Sequence, residues 1–355
     1  MSKSVAIAGG GIIGMSAAWR LAQHGFRVTV FEKGSIGSEA SWAGAGMLAP
    51  GGEVDSPSLL SRLAIESREL YTRFVRELEQ RTHVAIDYQE RGALDLAYNA
   101  SEWHALRARA AAQAAFGVQS KELSKEHVAA FWPRVSTESL HGALFYAGDA
   151  IVNPRDVMLA LAAACRQNGV MVRQNSAVLA VTILEAGIEL DSVEGSESFD
   201  ALVIAAGAWS SSITLRNVEP LPVARPIKGQ LIGFQQPDQT CNTILRHGHT
   251  YLLQRANGLL IAGASVEYAG WDRTVEPSIT NSLVQQAAFV LPHLAETSPS
   301  ENWVGFRPGS DDVRIGPWHS KRLYLAYGHY RNGILLAPVT ADHLAREISS
   351  NFQTP

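Results

Sequence analysis

Three glycines open the chemistry of this chain. Gly9, Gly11 and Gly14 stand in the spacing G-x-G-x-x-G, directly after an apolar run from Ser4 to Gly9 and at the head of an apolar segment of helical length, Ile12 to Gln23. Each glycine has its own task at a bound pyrophosphate: a tight turn, close approach of backbone to phosphate, and close packing of helix on strand. A helix that starts at Ile12 and Ile13 aims its first N–H groups and its positive dipole end at the phosphates. Glu32 closes a second apolar run, 18 residues beyond Gly14. A carboxylate there accepts hydrogen bonds from ribose hydroxyls and would repel a 2′-phosphate, which argues against NADP. Lys33 reads as a solvated charge beside that site. The turn alone leaves NAD and FAD open.

Little else in the chain competes for chemistry. His247 and His249 form His-Gly-His without a carboxylate or cysteine cluster, so no metal site is expected. Asp311-Asp312 reads as solvated loop. Cys165 and Cys241 lack a C-x-x-C spacing and read as two reduced thiols. The 355 residues carry a net charge of −4 and no Lys/Arg-rich block, which excludes an electrostatic nucleic-acid binder. No apolar run approaches the roughly 18 residues of a membrane span, and the first residues lack the marks of a signal peptide. A cytoplasmic protein that acts on a small molecule is expected, with homo-oligomerisation possible.

The elements that must position these residues alternate in texture. One β-α-β unit covers 4 to 32. A helix is expected over 57 to 80, where Leu60, Leu63, Ala64, Leu70, Tyr71, Phe74, Val75 and Leu78 keep the 3.6-residue period. Short alternating strands follow at Val84–Tyr88 and Ala93–Tyr98, then a helix over 101 to 116. Asn153 and Pro154 suit the cap and first position of another helix, with Gly169 as its stop. Strands are expected near 170–174, 177–184 and 187–190. Ala201–Ala206 is a continuous apolar strand of the buried parallel kind. Antiparallel texture returns over Leu221–Phe234, Tyr251–Leu253 and Leu259–Ala262, followed by a helix at 278–291, a strand at Arg322–Ala326 and a last helix from Pro338. The fold class this implies is α/β and α+β: a Rossmann-like dinucleotide domain (1–83, 147–220 and 303–355) interleaved with an antiparallel-sheet substrate domain (84–146 and 221–302).

Four more segments carry information: Ser41-Trp42-Ala43-Gly44-Ala45-Gly46-Met47-Leu48-Ala49-Pro50, Ala205-Ala206-Gly207-Ala208-Trp209-Ser210, Gly305-Phe306-Arg307-Pro308-Gly309-Ser310, and Gly328-His329-Tyr330-Arg331-Asn332-Gly333-Ile334-Leu335-Leu336-Ala337-Pro338. With the N-terminal turn, these resemble the D-amino acid oxidase family of FAD enzymes, end to end and in the same order. The first and last are similar to its glycine-oxidising branch, which is associated with making the thiazole of thiamine. The resemblance implies that FAD is the cofactor. Its expected contacts are Gly9, Gly11, Ile12, Ile13, Gly14, Glu32, Lys33, Ser41, Ala45, Gly46, Met47, Val178, Ala206, Gly207, Trp209, Arg307, His329, Tyr330, Arg331, Asn332, Gly333, Ile334 and Leu335. Small residues at 43 to 46 let backbone lie against a flat ring, and the 328–335 loop offers N–H donors to the flavin carbonyl edge. Related sarcosine-oxidising enzymes hold their flavin through a late cysteine, and none follows Cys241 here, so non-covalent FAD is expected.

The same resemblance implies the substrate residues. Arg307 falls where the family places a carboxylate-binding arginine, a task to which the planar fork is suited. Tyr251 matches a tyrosine that meets the same carboxylate, and Arg331 an arginine near flavin and substrate amine. His249 stands either in the site or just behind it. The implied reaction is oxidative deamination of glycine, sarcosine and small D-amino acids to the 2-oxo acid, ammonia and hydrogen peroxide, with the cofactor supplying the electronics. The alternatives are a D-amino acid oxidase or amine dehydrogenase of the same fold, or a non-catalytic flavin-binding subunit. The presence of both Arg307 and Tyr251 argues against the last.

Overall fold

The computed structural model describes residues 2–236, 238 and 241–353. Its first apolar run forms the strand Ser4–Ala8, whose last four residues are fully buried. Burial on both faces is what a central parallel strand requires. Ser4–Ala8 indeed lies inside a six-stranded sheet, between Ala201–Ile204 and Arg27–Phe31. Met171–Arg173 flanks one side, and Ser320–Tyr327 then Arg314–Trp318 the other; only Arg314–Trp318 runs antiparallel to its neighbour.

The helix Ile12–Gln23 leaves the first strand through the glycine turn and packs against helices Pro154–Gln167 and Gly333–Gln353. Its Ala17, Ala18 and Trp19 are wholly buried, and Trp19 meets Phe74 edge-on at 5.7 Å. Phe74 belongs to the amphipathic helix Leu59–Thr82, which Ser58 caps by accepting from the Ser61 N–H.

The antiparallel texture becomes an eight-stranded sheet in the order Glu301–Gly309, Arg225–Gln235, Leu259–Gly263, Thr250–Gln254, Ile244–His247, Ala93–Ala97, Gly142–Tyr146, Lys121–Leu123. One pair in it, Ile244–His247 with Ala93–Ala97, is parallel. The two sheets thus draw on alternating stretches of chain. Glu301–Gly309 pairs along its whole length with Arg225–Gln235 in the antiparallel sheet, although the sequence reading placed 303 onward with the dinucleotide domain.

The elements depart from expectation in places. Val84–Tyr88 contributes only the two-residue strand Tyr88–Gln89, and Gly195–Phe199 is a strand that the polar sequence Gly-Ser-Glu-Ser-Phe did not announce. The last helix begins at Gly333, with Pro338 inside it. Proline lacks the N–H that would bind the carbonyl four residues back, which is why a helix start was expected there. The helix Leu59–Thr82 supplies the missing donor: Tyr71 Oη donates to the Ile334 carbonyl at 3.1 Å, while Ser67 Oγ donates to the Leu335 carbonyl at 2.6 Å and accepts from the Val339 N–H at 3.3 Å, bridging the next pair.

Gly14 tests the packing on which the turn depends. A Cβ there would stand 1.9 Å from the Gly9 carbonyl oxygen. Gly14→Ala should therefore force helix and strand apart, costing about 1–3 kcal/mol of stability by overpacking and weakening flavin retention. Thermal melts and the flavin content of the purified variant check this. A normal melting temperature with full flavin would contradict it.

Candidate functional site

One cavity of about 360 Å³ runs between the turn of the parallel sheet and the face of the antiparallel sheet. Every expected cofactor and substrate residue lines it except Gly14 and Leu335. Gly14 serves helix packing, as its contact with Gly9 shows. The Leu335 side chain is 1% exposed and belongs to the core. His249 is exposed in the turn between Ile244–His247 and Thr250–Gln254 and does not line the cavity.

At the turn, the helix Ile12–Gln23 starts at Gly11 with no side-chain cap. Ser41 reaches in, its Oγ accepting the Ile12 N–H at 2.9 Å. The Glu32 carboxylate accepts from the N–H groups of Gly10 (2.7 Å) and Gly34 (2.8 Å), which ties the turn to the end of the second strand. Lys33 is not free in solvent: its Nζ lies 3.8 Å from the Trp209 ring centroid and 3.1 Å from Glu39. Trp209 in turn stacks on Trp271 at 4.4 Å.

The wall opposite is built from small residues. The Trp303 indole donates to the Ala43 carbonyl at 2.9 Å and pins the 43–46 loop to the antiparallel sheet. Cavity-lining Gly207 would place a Cβ in open space. A helix N-terminus whose cap residue is glycine, an acid at the second strand end and a flat wall of Ala43, Gly44, Ala45 and Gly46 fit an extended dinucleotide with a planar ring. Neither thiol lines the cavity. Cys165 is buried against the Met15 carbonyl, and Cys241 donates to the Thr243 carbonyl.

Arg307 and Tyr251 come together by register. Tyr251 faces Gly263 across its strand pair, and a Cβ on Gly263 would lie 2.6 Å from the tyrosine oxygen. A Cβ on Gly229 would lie 2.4 Å from the Arg307 guanidinium. Both side chains therefore lie over glycines of the intervening strands. Arg307 Nη1 donates to the Ser265 carbonyl at 3.0 Å, which fixes the plane of the fork. Burial pulls the Arg307 pKa below its ordinary value and pushes that of Tyr251 up, so the phenol stays protonated at neutral pH.

Glu53 was missed in the sequence. It ends the short helix Pro50–Glu53, lines the cavity and pairs with Arg331 through Nε–Oε2 and Nη2–Oε1, both 3.2 Å. Burial raises the Glu53 pKa against the pull of Arg331, while Glu53 holds Arg331 above its ordinary value against burial. Among the described residues, Arg307 has no carboxylate within ion-pair distance. The only signal for Glu53 was an acid close after the small-residue loop.

A family model described as FAD dependent oxidoreductase (DAO) matches residues 4–347. The chain belongs to the DAO family of FAD-dependent oxidoreductases. It is 33% identical over 340 residues to glycine oxidase of Geobacillus kaustophilus, covering 95% of this chain and 90% of that one. It is 32% identical to the bifunctional protein ThiO/ThiG of a Synechocystis strain, covering 96% of this chain and 50% of the relative. The crystal structure of glycine oxidase from Geobacillus kaustophilus superposes with a TM-score of 0.91 at 30% identity, over 98% of this chain and 95% of that one. The DAO-family chain is thus an FAD-dependent oxidase. Among its described residues no helix is long and apolar enough to cross a membrane.

His329 lines the cavity of this DAO-family enzyme and is 3% exposed, with its Nε2 3.1 Å from Thr340 Oγ1. Burial lowers its pKa from 6.5 to about 4. The folded state thus holds a neutral imidazole, and the unfolded chain takes up a proton first as pH falls. The stabilisation is complete above pH 6.5 and is lost as pH falls towards 4. The loss attributable to this group should reach about 3 kcal/mol near pH 4. Urea unfolding of wild type and His329→Gln at neutral pH and near pH 4.5 checks it: the wild type should lose more stability than the variant. Parallel pH profiles would contradict it.

Proposed function

We propose that this enzyme oxidatively deaminates glycine and small amines, namely sarcosine and small D-amino acids. Glycine, water and oxygen would give glyoxylate, ammonia and hydrogen peroxide. The observation that carries the reading is the pairing of Arg307 and Tyr251 over Gly229 and Gly263, in the same cavity as the dinucleotide turn. The named glycine oxidases among its relatives support it.

FAD, when bound, takes up the two electrons released as the substrate's Cα–N bond becomes an imine. The chain's own residues orient and shield. The Arg307 fork takes the carboxylate with two charge-assisted hydrogen bonds, and the Tyr251 hydroxyl donates a third. The backbone carbonyl on Nη1 holds the fork ready, so less orientational entropy is lost on binding. With the carboxylate on Arg307 and the α-hydrogen directed at the cofactor, a small D side chain would be tolerated and an L side chain would point the wrong way. The backbone donors of 329–334, the turn at Gly9 and Gly11, and the Glu32 carboxylate would hold the cofactor. The named ThiO/ThiG relatives support a role in supplying the thiazole of thiamine.

Anaerobic mixing with glycine should bleach the oxidised flavin band, and sarcosine and D-alanine should do so too. Full flavin that bleaches only with bulky D-amino acids would favour a general D-amino acid oxidase. Arg307→Ala should keep a near-normal flavin spectrum and lose about 2–5 kcal/mol of transition-state binding for glycine, roughly 30- to several-thousand-fold in kcat/KM. Amines without a carboxylate should lose far less. Equal losses for both substrate types would assign Arg307 to structure.

A further inference from the structure

The substrate end of the cavity holds three charged side chains that act on one another: Arg307, Arg331 and Glu53. Glu53 grips Arg331 with both carboxylate oxygens on two guanidinium nitrogens, the fork-on-fork arrangement that uses an arginine most fully. The Glu53 side chain is 12% exposed and that of Arg331 32%.

Glu53 is held in place from behind. The Gly51 N–H donates to Asp149 Oδ1 at 3.1 Å, and the buried Gln113 amide donates to the carbonyls of Gly51 (2.9 Å) and Val54 (2.8 Å). Arg246 packs so closely on Gly52 that a Cβ there would stand 2.1 Å from its Nη1. Arg246 itself is matched by Asp95 and Asp149, so its charge is spent inside the network. A loop tied at this many points presents its last carboxylate at a fixed place, unlike a loose surface pair.

We infer that Glu53 is a specificity-determining residue: by neutralising Arg331 it leaves the site one unmatched positive charge, Arg307, and so selects substrates with a single anionic group. A substrate with a second carboxylate, on the side chain or on the nitrogen, meets Glu53 and finds Arg331 already occupied. Without the Glu53 charge, Arg331 becomes a second anion-binding fork. The inference rests on the reading of Arg307 as carboxylate anchor, and it concerns a different residue pair.

Two inert acids of similar size test it on the FAD-loaded enzyme, with binding read from the perturbed flavin absorbance and both acids fully ionised. Propionate carries one charge and malonate two. In the wild type, propionate should bind the tighter; malonate binding as tightly or tighter would overturn the inference without any variant. In Glu53→Gln, the ratio of propionate Kd to malonate Kd should rise roughly tenfold or more, and adding Arg331→Gln should abolish the gain. An unchanged ratio in Glu53→Gln, or a gain that survives the second substitution, overturns it. The oxidation of iminodiacetate relative to N-propylglycine should shift in the same direction. A wild type that binds neither acid removes the Arg307 reading first and this inference with it.

Discussion

Close approach of one backbone to another is the constraint on which this molecule rests. The Gly14 position must sit almost on the Gly9 carbonyl for the first helix to start where its N–H groups serve a phosphate. From that contact follows the path of the helix, its burial between two others, and the position of the last helix, which brings 329–334 to the same cavity. The antiparallel sheet obeys the same rule on its side. Gly229 and Gly263 let Arg307 and Tyr251 lie flat across neighbouring strands where any side chain would lift them away.

The parts of this arrangement that were legible in the sequence are those written locally. The strand, glycine turn and helix up to Gln23 follow from spacing and burial period within two dozen residues. The segments around Arg307 and Arg331 were found through their resemblance to a family. What stayed hidden depends on register between distant strands. Nothing near Gly229 says that a guanidinium from residue 307 will cover it. Glu53 follows two glycines and looks like any loop acid; its meaning comes from Arg331, some 280 residues later, and from buried Gln113 and Asp149 behind it. Pro338 depends on the same kind of distant contact, because the Tyr71 hydroxyl that replaces its missing donor sits on a helix far back in the chain.

Electrostatics divides the cavity into two ends of different character. At the turn, charge is handled mainly by backbone: a helix start whose cap residue is glycine, a carboxylate accepting from two N–H groups, and a lysine set over an indole. Such a surface is rigid and suits a resident cofactor. At the other end, charge sits on ionised side chains, Glu53 paired with Arg331 and Arg307 beside them, and their balance can be altered by one residue. Binding strength and selectivity are thus set by different parts of the chain.

The hydroxyls of Ser67 and Tyr71 bear on how this enzyme can change over time. Tyr71 is a buried donor whose acceptor exists because Pro338 withholds its own N–H and leaves the Ile334 carbonyl spare; Ser67 stands between the Leu335 carbonyl and the Val339 N–H beside the same break. Restoring an ordinary residue at 338 would fill the Ile334 carbonyl and strand the Tyr71 hydroxyl in the core; removing that hydroxyl would strand the carbonyl. Neither step is comfortable alone, so the two positions drift together or stay. Two helices far apart in the chain are in this sense a single inherited unit, and the loop that shapes the cavity travels with them.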